Sequence, residues 1–161
     1  MAGHRRHREK LPERLGGTTC RCSLRPVEPA QQVLAANRAF YEAFEGRDLD
    51  AMSALWEHSD RARCTHPGWA TLRGWGEIAA SFFTLFQTTR SLQFVLTQED
   101  VEVSGDVAWV SVDENLLGDQ GGATVAAVNL FLRQPGHGRW LMVCHHGSVV
   151  TGPSASTQEG G

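Results

Sequence analysis

Long hydrophobic runs are missing from this chain: no stretch of 18 or more apolar residues occurs, so no membrane-spanning helix is expected. The N-terminus is basic but lacks the apolar segment that a secretory signal requires, and cytoplasmic residence is the expectation that follows. Cysteine is scarce. Cys20 and Cys22 lie near the N-terminus and Cys64 and Cys144 in strand-like segments, which matches neither a disulfide framework nor a metal motif. They read as reduced thiols, the latter two buried as small apolar residues. A basic surface is missing from the main body as well. Up to Arg25 there are seven Lys/Arg against two acids, and beyond it eight against sixteen. Phosphate binding needs a basic footprint, so this balance argues against nucleic acid as a partner of the main body.

What is present is enough for one domain with a sizeable core: 161 residues, five Trp and seven Phe. Residues 1–27, with His4-Arg-Arg-His7 and few large apolar side chains, bury too little surface to offset ordering entropy and are expected to be a disordered basic tail. Residues 28–151 form the domain, and residues 152–161 are expected to be a second disordered tail. From Pro29, Val33, Asn37, Phe40, Tyr41 and Phe44 recur at helical spacing up to Gly46. Asp48 can cap a second, short helix with Leu49, Met52, Leu55 and Trp56 on its buried stripe. A short strand spans Arg61 to His66, and Trp75, Ile78, Phe82, Leu85 and Phe86 predict a third helix over 74–88. The period then falls to two. Leu92–Val103, Val107–Leu117, Thr124–Arg133 and Arg139–Val150 are strand-like and joined by Gly-rich turns, which implies an antiparallel meander. The fold class is therefore α+β, three N-terminal helices packed on a curved antiparallel sheet of four to five strands.

The stretch from Cys64 to Trp75 concentrates titratable, aromatic and turn-forming residues. Pro67 restricts His66 to an extended backbone and Pro67-Gly68 favours a turn, so His66 should sit at the lip of a strand between Trp69 and Trp75. An imidazole beside two indoles suits a small-molecule pocket as well as it suits a packed loop. On the strands, strict alternation puts Trp109, Ser111 and Asp113 on one face and Ala108, Val110 and Val112 on the other. In the last strand Trp140, Met142, Cys144, His146 and Ser148 alternate with Leu141, Val143, His145 and Val149. Both sheet faces are apolar, so one should meet the helices and the other a partner subunit, giving a homodimer through the sheet. Zinc could in principle use Cys64, His66, Cys144, His145 and His146, but adjacent His145 and His146 should point to opposite faces and cannot easily chelate one ion.

The helix, the Gly46-Arg-Asp-Leu-Asp50 turn into a short helix, the strand ending in His66-Pro67, the aromatic third helix and four strands closing on His146-Gly-Ser148 resemble, together and in this order, a SnoaL-like domain of the nuclear transport factor 2-like superfamily. The resemblance covers about Ala30 to Val150. It implies a cone with an internal pocket, serving in different members as the active site of cofactor-free isomerases, cyclases and dehydratases or as part of a kinase association domain. Compared with the ketosteroid isomerases of that superfamily, His66 stands where they carry a general base before Pro. Asn129 stands where they carry a protonated acid that polarises the oxyanion, a case the physical chemistry of carboxyl pKa tuning already illustrates. The matching position for their Tyr donor is Phe40, with Tyr41 one residue away.

These readings give His66 as acid/base and Asn129 as polarising donor, both opening on one enclosed hollow. Phe40, Trp69, Trp75, Phe82, Phe86, Trp109, Asp113 and His146 complete the candidate ligand-binding set. The expected reaction is a cofactor-free proton transfer on a small hydrophobic carbonyl compound, with no metal and no cofactor. The alternative is a non-catalytic ligand-binding or dimerisation module of the same fold, since fold alone does not decide function.

Overall fold

The structure is a computed structural model and describes residues 27–89, 92–118 and 121–151. Of the two tails expected to be disordered, residues 1–26, with Cys20 and Cys22, and 152–161 lie outside the described residues. Helix α1 (Pro29–Glu45) begins with Pro at its first turn, where the missing N–H is no loss. Its buried face carries Val33, Asn37, Phe40 and Tyr41. Helix α2 (Leu49–Leu55) is capped by the Asp48 carboxylate, which accepts from Ala51 N at 2.9 Å. Strands β1 (Arg63–Thr65) and β2 (Leu72–Arg73) precede helix α3 (Gly74–Thr88), which buries Ile78, Ser81, Phe82 and Phe86. Strands β3 (Leu92–Ser104), β4 (Val107–Gly118), β5 (Gly121–Arg133) and β6 (Trp140–Val149) then form the expected meander. Among the described residues no helix is long and apolar enough to cross a membrane.

The sheet has six strands, in the order β2-β1-β6-β5-β4-β3, and is mixed. The expected four- to five-stranded antiparallel sheet is corrected on both counts. β1 runs parallel to β6, pairing Cys64 with His145, and the two-residue β2 pairs antiparallel to β1. A strand of two residues carries no alternation to read, and a pairing between residues 64 and 145 leaves no local signature. The helices cover one face of the sheet, where Phe40, Met52, Trp56, Ile78, Phe82, Phe131 and Met142 form the core. Each such side chain contributes roughly 1.5–3 kcal/mol when fully buried.

Two irregularities decide which side chains face that core. In β3 the register against β4 shifts between Thr97 and Asp100, with Gln98 at φ 54°, so inward positions change from Leu92, Phe94 and Leu96 to Glu99, Val101 and Val103. In β6 Leu130 pairs with Cys144 and Phe131 with Met142, leaving Val143 as an extra residue. Met142 and Val143 are both buried, and beyond them His145 and Gly147 face inward while His146 and Ser148 face outward. A bulge of this kind inverts the side-chain parity downstream of it.

Gly147 is where β6 passes beneath the Pro67 turn. An added Cβ would meet Val125 Cγ1 at 3.1 Å and Pro67 Cγ at 3.3 Å, closer than a well-packed interior tolerates. Gly147→Ala should therefore destabilise the fold by about 1–3 kcal/mol in urea unfolding, as overpacked substitutions do. An unchanged midpoint would mean that the turn does not rest on this glycine.

Candidate functional site

A hollow of about 180 Å³ lies between the inner face of the sheet and helices α1 and α3. Phe40, Phe44, Leu85, Phe94 and Leu116 line it with apolar surface, and His66, Glu114 and His145 are its buried polar groups. Trp69, 44% exposed, sits at the rim with its indole edge-on to His66 at 5.1 Å. Among the described residues no Lys or Arg lines this space.

His66 is placed by the turn that follows it. Trp69 N donates to His66 O at 2.9 Å and Gly68 has φ 79°, the left-handed value that glycine adopts without strain at the third position of a tight turn. The ring is then fixed by Ser81 on α3. Ser81 Oγ donates its single hydrogen to Ile78 O at 2.7 Å, so at 2.9 Å it accepts from His66 Nε2–H. Nδ1 keeps its lone pair. Cys64 Sγ lies 3.9 Å from Nδ1 and 3.8 Å from Nε2, and a sulfur nearly equidistant from both nitrogens is not in line with the Nδ1 lone pair. Burial lowers the His66 pKa to about 4, so the ring is neutral at neutral pH.

A second imidazole is fixed by a chain of amides. The Glu99 carboxylate, 3.6 Å from Arg38, can only accept, so Asn37 presents Nδ2 to it at 3.3 Å and turns Oδ1 the other way. Asn129 Nδ2 donates to that Oδ1 at 2.8 Å and to Tyr41 Oη at 3.0 Å. Asn129 Oδ1 therefore faces His145 and accepts from Nδ1–H at 2.7 Å, which leaves Nε2 of His145 with a lone pair. Tyr41 in turn donates to Glu114 Oε1 at 2.8 Å. Burial, and to a lesser degree the neighbouring His66 and His146, lower the His145 pKa to about 3. Burial raises Glu114 to about 7, with the Tyr41 hydrogen bond working against the rise. Burial beside Glu114 also pushes the Tyr41 hydroxyl up, so it stays protonated. Cys64 is likewise held as a thiol by burial.

A family model described as the SnoaL-like domain matches residues 33–152. The chain belongs to the SnoaL-like domain family. F-box protein SKIP8 of Arabidopsis thaliana is 30% identical over 118 residues, 73% of this chain and 49% of that protein, so the chain spans about half the length of that relative. Among solved structures, a candidate dehydratase of the NTF2-like family from Streptomyces avermitilis superposes with a TM-score of 0.70 at 36% identity, covering 77% of this chain and 97% of that one. A candidate calcium/calmodulin-dependent protein kinase type II association domain from Thiobacillus denitrificans gives 0.67 at 33%, covering 78% and 99%.

Within this SnoaL-like domain the sequence-derived site residues separate into three groups. His66, Phe40 and Trp69 line the hollow. Asn129, fully buried, stands behind its wall with both amide hydrogens engaged, so it has none to offer a substrate oxygen; its role as direct polarising donor is corrected on that ground. Phe82 and Phe86 are buried outside the lining, Phe82 packing edge-on to His66 at 5.3 Å. Trp75 lies elsewhere, stacked on His58 at 4.6 Å and 6°. Trp109, Asp113 and His146 are on the opposite sheet face, because β4 alternates strictly from Ala108 and the Val143 bulge reverses β6. Glu114 and His145 were missed. Continuing the Ala108, Val110, Val112 parity by one step reaches Glu114, whereas a bulge hides His145 from any alternation. Among the described residues no group of three or more His, Cys, Asp or Glu is placed to hold a metal ion.

Glu114 gives this family member a measurable pH signature. Its folded pKa is above its ordinary value, so between pH 4.5 and about 7 the native state binds more protons than the unfolded chain and its contribution to stability falls as pH rises. His66 and His145 act oppositely, losing stability as pH falls from 6.5 towards 4. Glu114→Gln keeps an acceptor for Tyr41 and removes the charge. The variant should gain about 2 kcal/mol relative to wild type between pH 5.5 and pH 8, at ~1.4 kcal/mol per pKa unit. Paired chemical denaturations at the two pH values measure it, and a pH-independent difference would refute a raised Glu114.

Proposed function

We propose that this chain is a small-molecule enzyme carrying out cofactor-free proton transfer, of the isomerase, cyclase or dehydratase type, on a small hydrophobic carbonyl compound. The observation that carries this reading is the meeting of a free imidazole lone pair on His66 with the titratable Glu114 carboxyl in one apolar hollow. His66 Nδ1 takes the proton next to the carbonyl. Its lowered pKa keeps it unprotonated but makes it a weak base, so Glu114, poised near neutrality, supplies the complementary proton to the developing oxyanion. Asn129 is a positioning residue that acts through His145. The 36% identity to a candidate dehydratase supports the same reading.

A second reading, an association module, is favoured by the outer sheet face. Val95, Trp109 and Val128, each between 38% and 48% exposed, lie on it, and a candidate kinase association domain is 33% identical across 99% of its length. Under this reading two copies pair through that face, and the pairing is compatible with an active hollow on the other. Trp109→Lys combined with Val128→Lys should convert a dimer to a monomer in sedimentation velocity; a wild-type monomer at tens of micromolar removes the dimer.

Proton transfer is measurable without knowing the natural substrate. Cyclohexanone is a one-ring carbonyl compound, and its α-hydrogens exchange with D2O. Wild-type protein should accelerate that exchange in NMR, and His66→Gln should lower the rate by a factor of about 10² to 10⁴ with an unchanged circular dichroism spectrum. Exchange at the buffer rate with wild-type protein would sink the enzymatic reading.

A further inference from the structure

The directions of the hydrogen bonds restrict what the hollow can hold. His66 donates from Nε2 to Ser81 and His145 donates from Nδ1 to Asn129, so each of these two lining rings is left with only an acceptor nitrogen. The two ring centroids are 6.4 Å apart. Glu114 offers its second carboxyl oxygen beside them, its first being engaged by Tyr41. Among the described residues no Lys or Arg lines the wall. The side-chain donors there, Thr89 and Trp69, belong to residues that are partly or largely exposed at the rim.

We infer that the hollow selects a neutral single-ring molecule carrying a hydroxyl, a phenol or a cyclic hydroxyketone or enol, and rejects carboxylate-bearing rings of the same size. A hydroxyl hydrogen satisfies an imidazole lone pair, whereas a carboxylate would bring two acceptors against acceptors. Size agrees: a cavity of about 150 Å³ is known to take benzene, close to the 180 Å³ found here. Both imidazoles are held neutral by burial, so neither offers a charge to compensate an anion. Glu114 adds a third acceptor or, when protonated, a single donor. This selectivity rests on the hollow being a ligand site, as the proposed function requires, but not on any turnover.

The test is equilibrium binding of phenol, toluene and benzoate to the full chain at pH 7.5, followed by NMR titration. Phenol should bind at least about tenfold more tightly than toluene, the size of effect that one satisfied hydrogen bond gives, and benzoate more weakly than either. Equal affinities, a preference for benzoate, or no binding of any of the three at millimolar concentration would each overturn the inference. Ser81→Ala frees His66 Nε2 and lets the ring take the tautomer with hydrogen on Nδ1. In that variant the phenol-to-benzoate ratio should fall severalfold, and an unchanged ratio would contradict the tautomer argument. Should the variant fail to fold, imidazole ¹⁵N–¹H correlation spectra of wild-type protein decide the same point. They should show His66 protonated on Nε2 and His145 on Nδ1, and any other pair refutes the inference. Loss of cyclohexanone exchange with phenol selectivity intact would reject the enzyme while leaving the selectivity in place.

Discussion

The direction of one buried hydrogen-bond chain governs the chemistry of this domain. It begins at Glu99, whose carboxylate can only accept, and passes through Asn37 and Asn129 to His145. A branch runs from Asn129 through Tyr41 to Glu114. No member can reverse alone. An Asn37 flip would set oxygen against the Glu99 carboxylate, and an Asn129 flip would set oxygen against Asn37 Oδ1. In a low-dielectric interior each such mismatch costs about 1–3 kcal/mol, so the chain behaves as a unit with one polarity. That polarity is what the hollow senses, because it decides which His145 nitrogen bears hydrogen.

The backbone supplies this chain through two bulges rather than through regular strands. Without the shift at Gln98, Glu99 would point away from α1, and without the extra residue at Val143, His146 would replace His145 behind Phe40. The Gln98 φ of 54° is a strained value for a residue with a side chain, costing on the order of 1 kcal/mol. Bulges commonly re-aim side chains beside functional sites, and here they turn two polar groups inward that a regular sheet would leave in water.

The helices, the Asp48 cap, the α+β class and the four long strands were legible in the sequence because each rests on a local periodicity or a local cap. His66 was legible for the same reason: Pro67 and Gly68 fix its backbone within four residues. Strand parity was legible only as far as the first irregularity. It grouped Ala108, Val110 and Val112 on one face of β4 but assigned the ligand site to the other, with Trp109 and Asp113, and was not extended to Glu114; in β6 it failed at Val143, giving His146 where His145 stands. Asn129 was placed on the correct face. What no pattern could supply was depth: whether the amide ends in the hollow or behind it depends on Asn37 and Tyr41 meeting it from α1, 92 and 88 residues away. Trp75 misled for the complementary reason, since its neighbour His58 is close in space but belongs to the segment before β1.

The inner hollow and the outer sheet face use opposite sides of the same strands, and this separation explains how related folds can include a candidate dehydratase and a candidate association domain. Along β4, Val110 and Glu114 face the helices while Trp109 and Asp113 face outward, and neither set constrains the other beyond sharing a backbone. Substitutions on the outer face can therefore alter that surface without touching Glu114. Substitutions on the inner face are far less free, because replacing any amide of the chain leaves a buried partner unsatisfied. Loss of activity in such a fold would thus proceed by filling or silencing the hollow as a whole. In this chain the hollow is unfilled by side chains, its imidazoles are fixed from behind, and its carboxyl is tuned towards neutrality. An interior serving only as support for an outer interface would gain stability from apolar replacements at Asn37, Asn129 and Glu114 together, since well-packed hydrophobic groups commonly equal or exceed a buried polar cluster. Retaining all three beside an open space supports the proposed ligand site over a purely structural core.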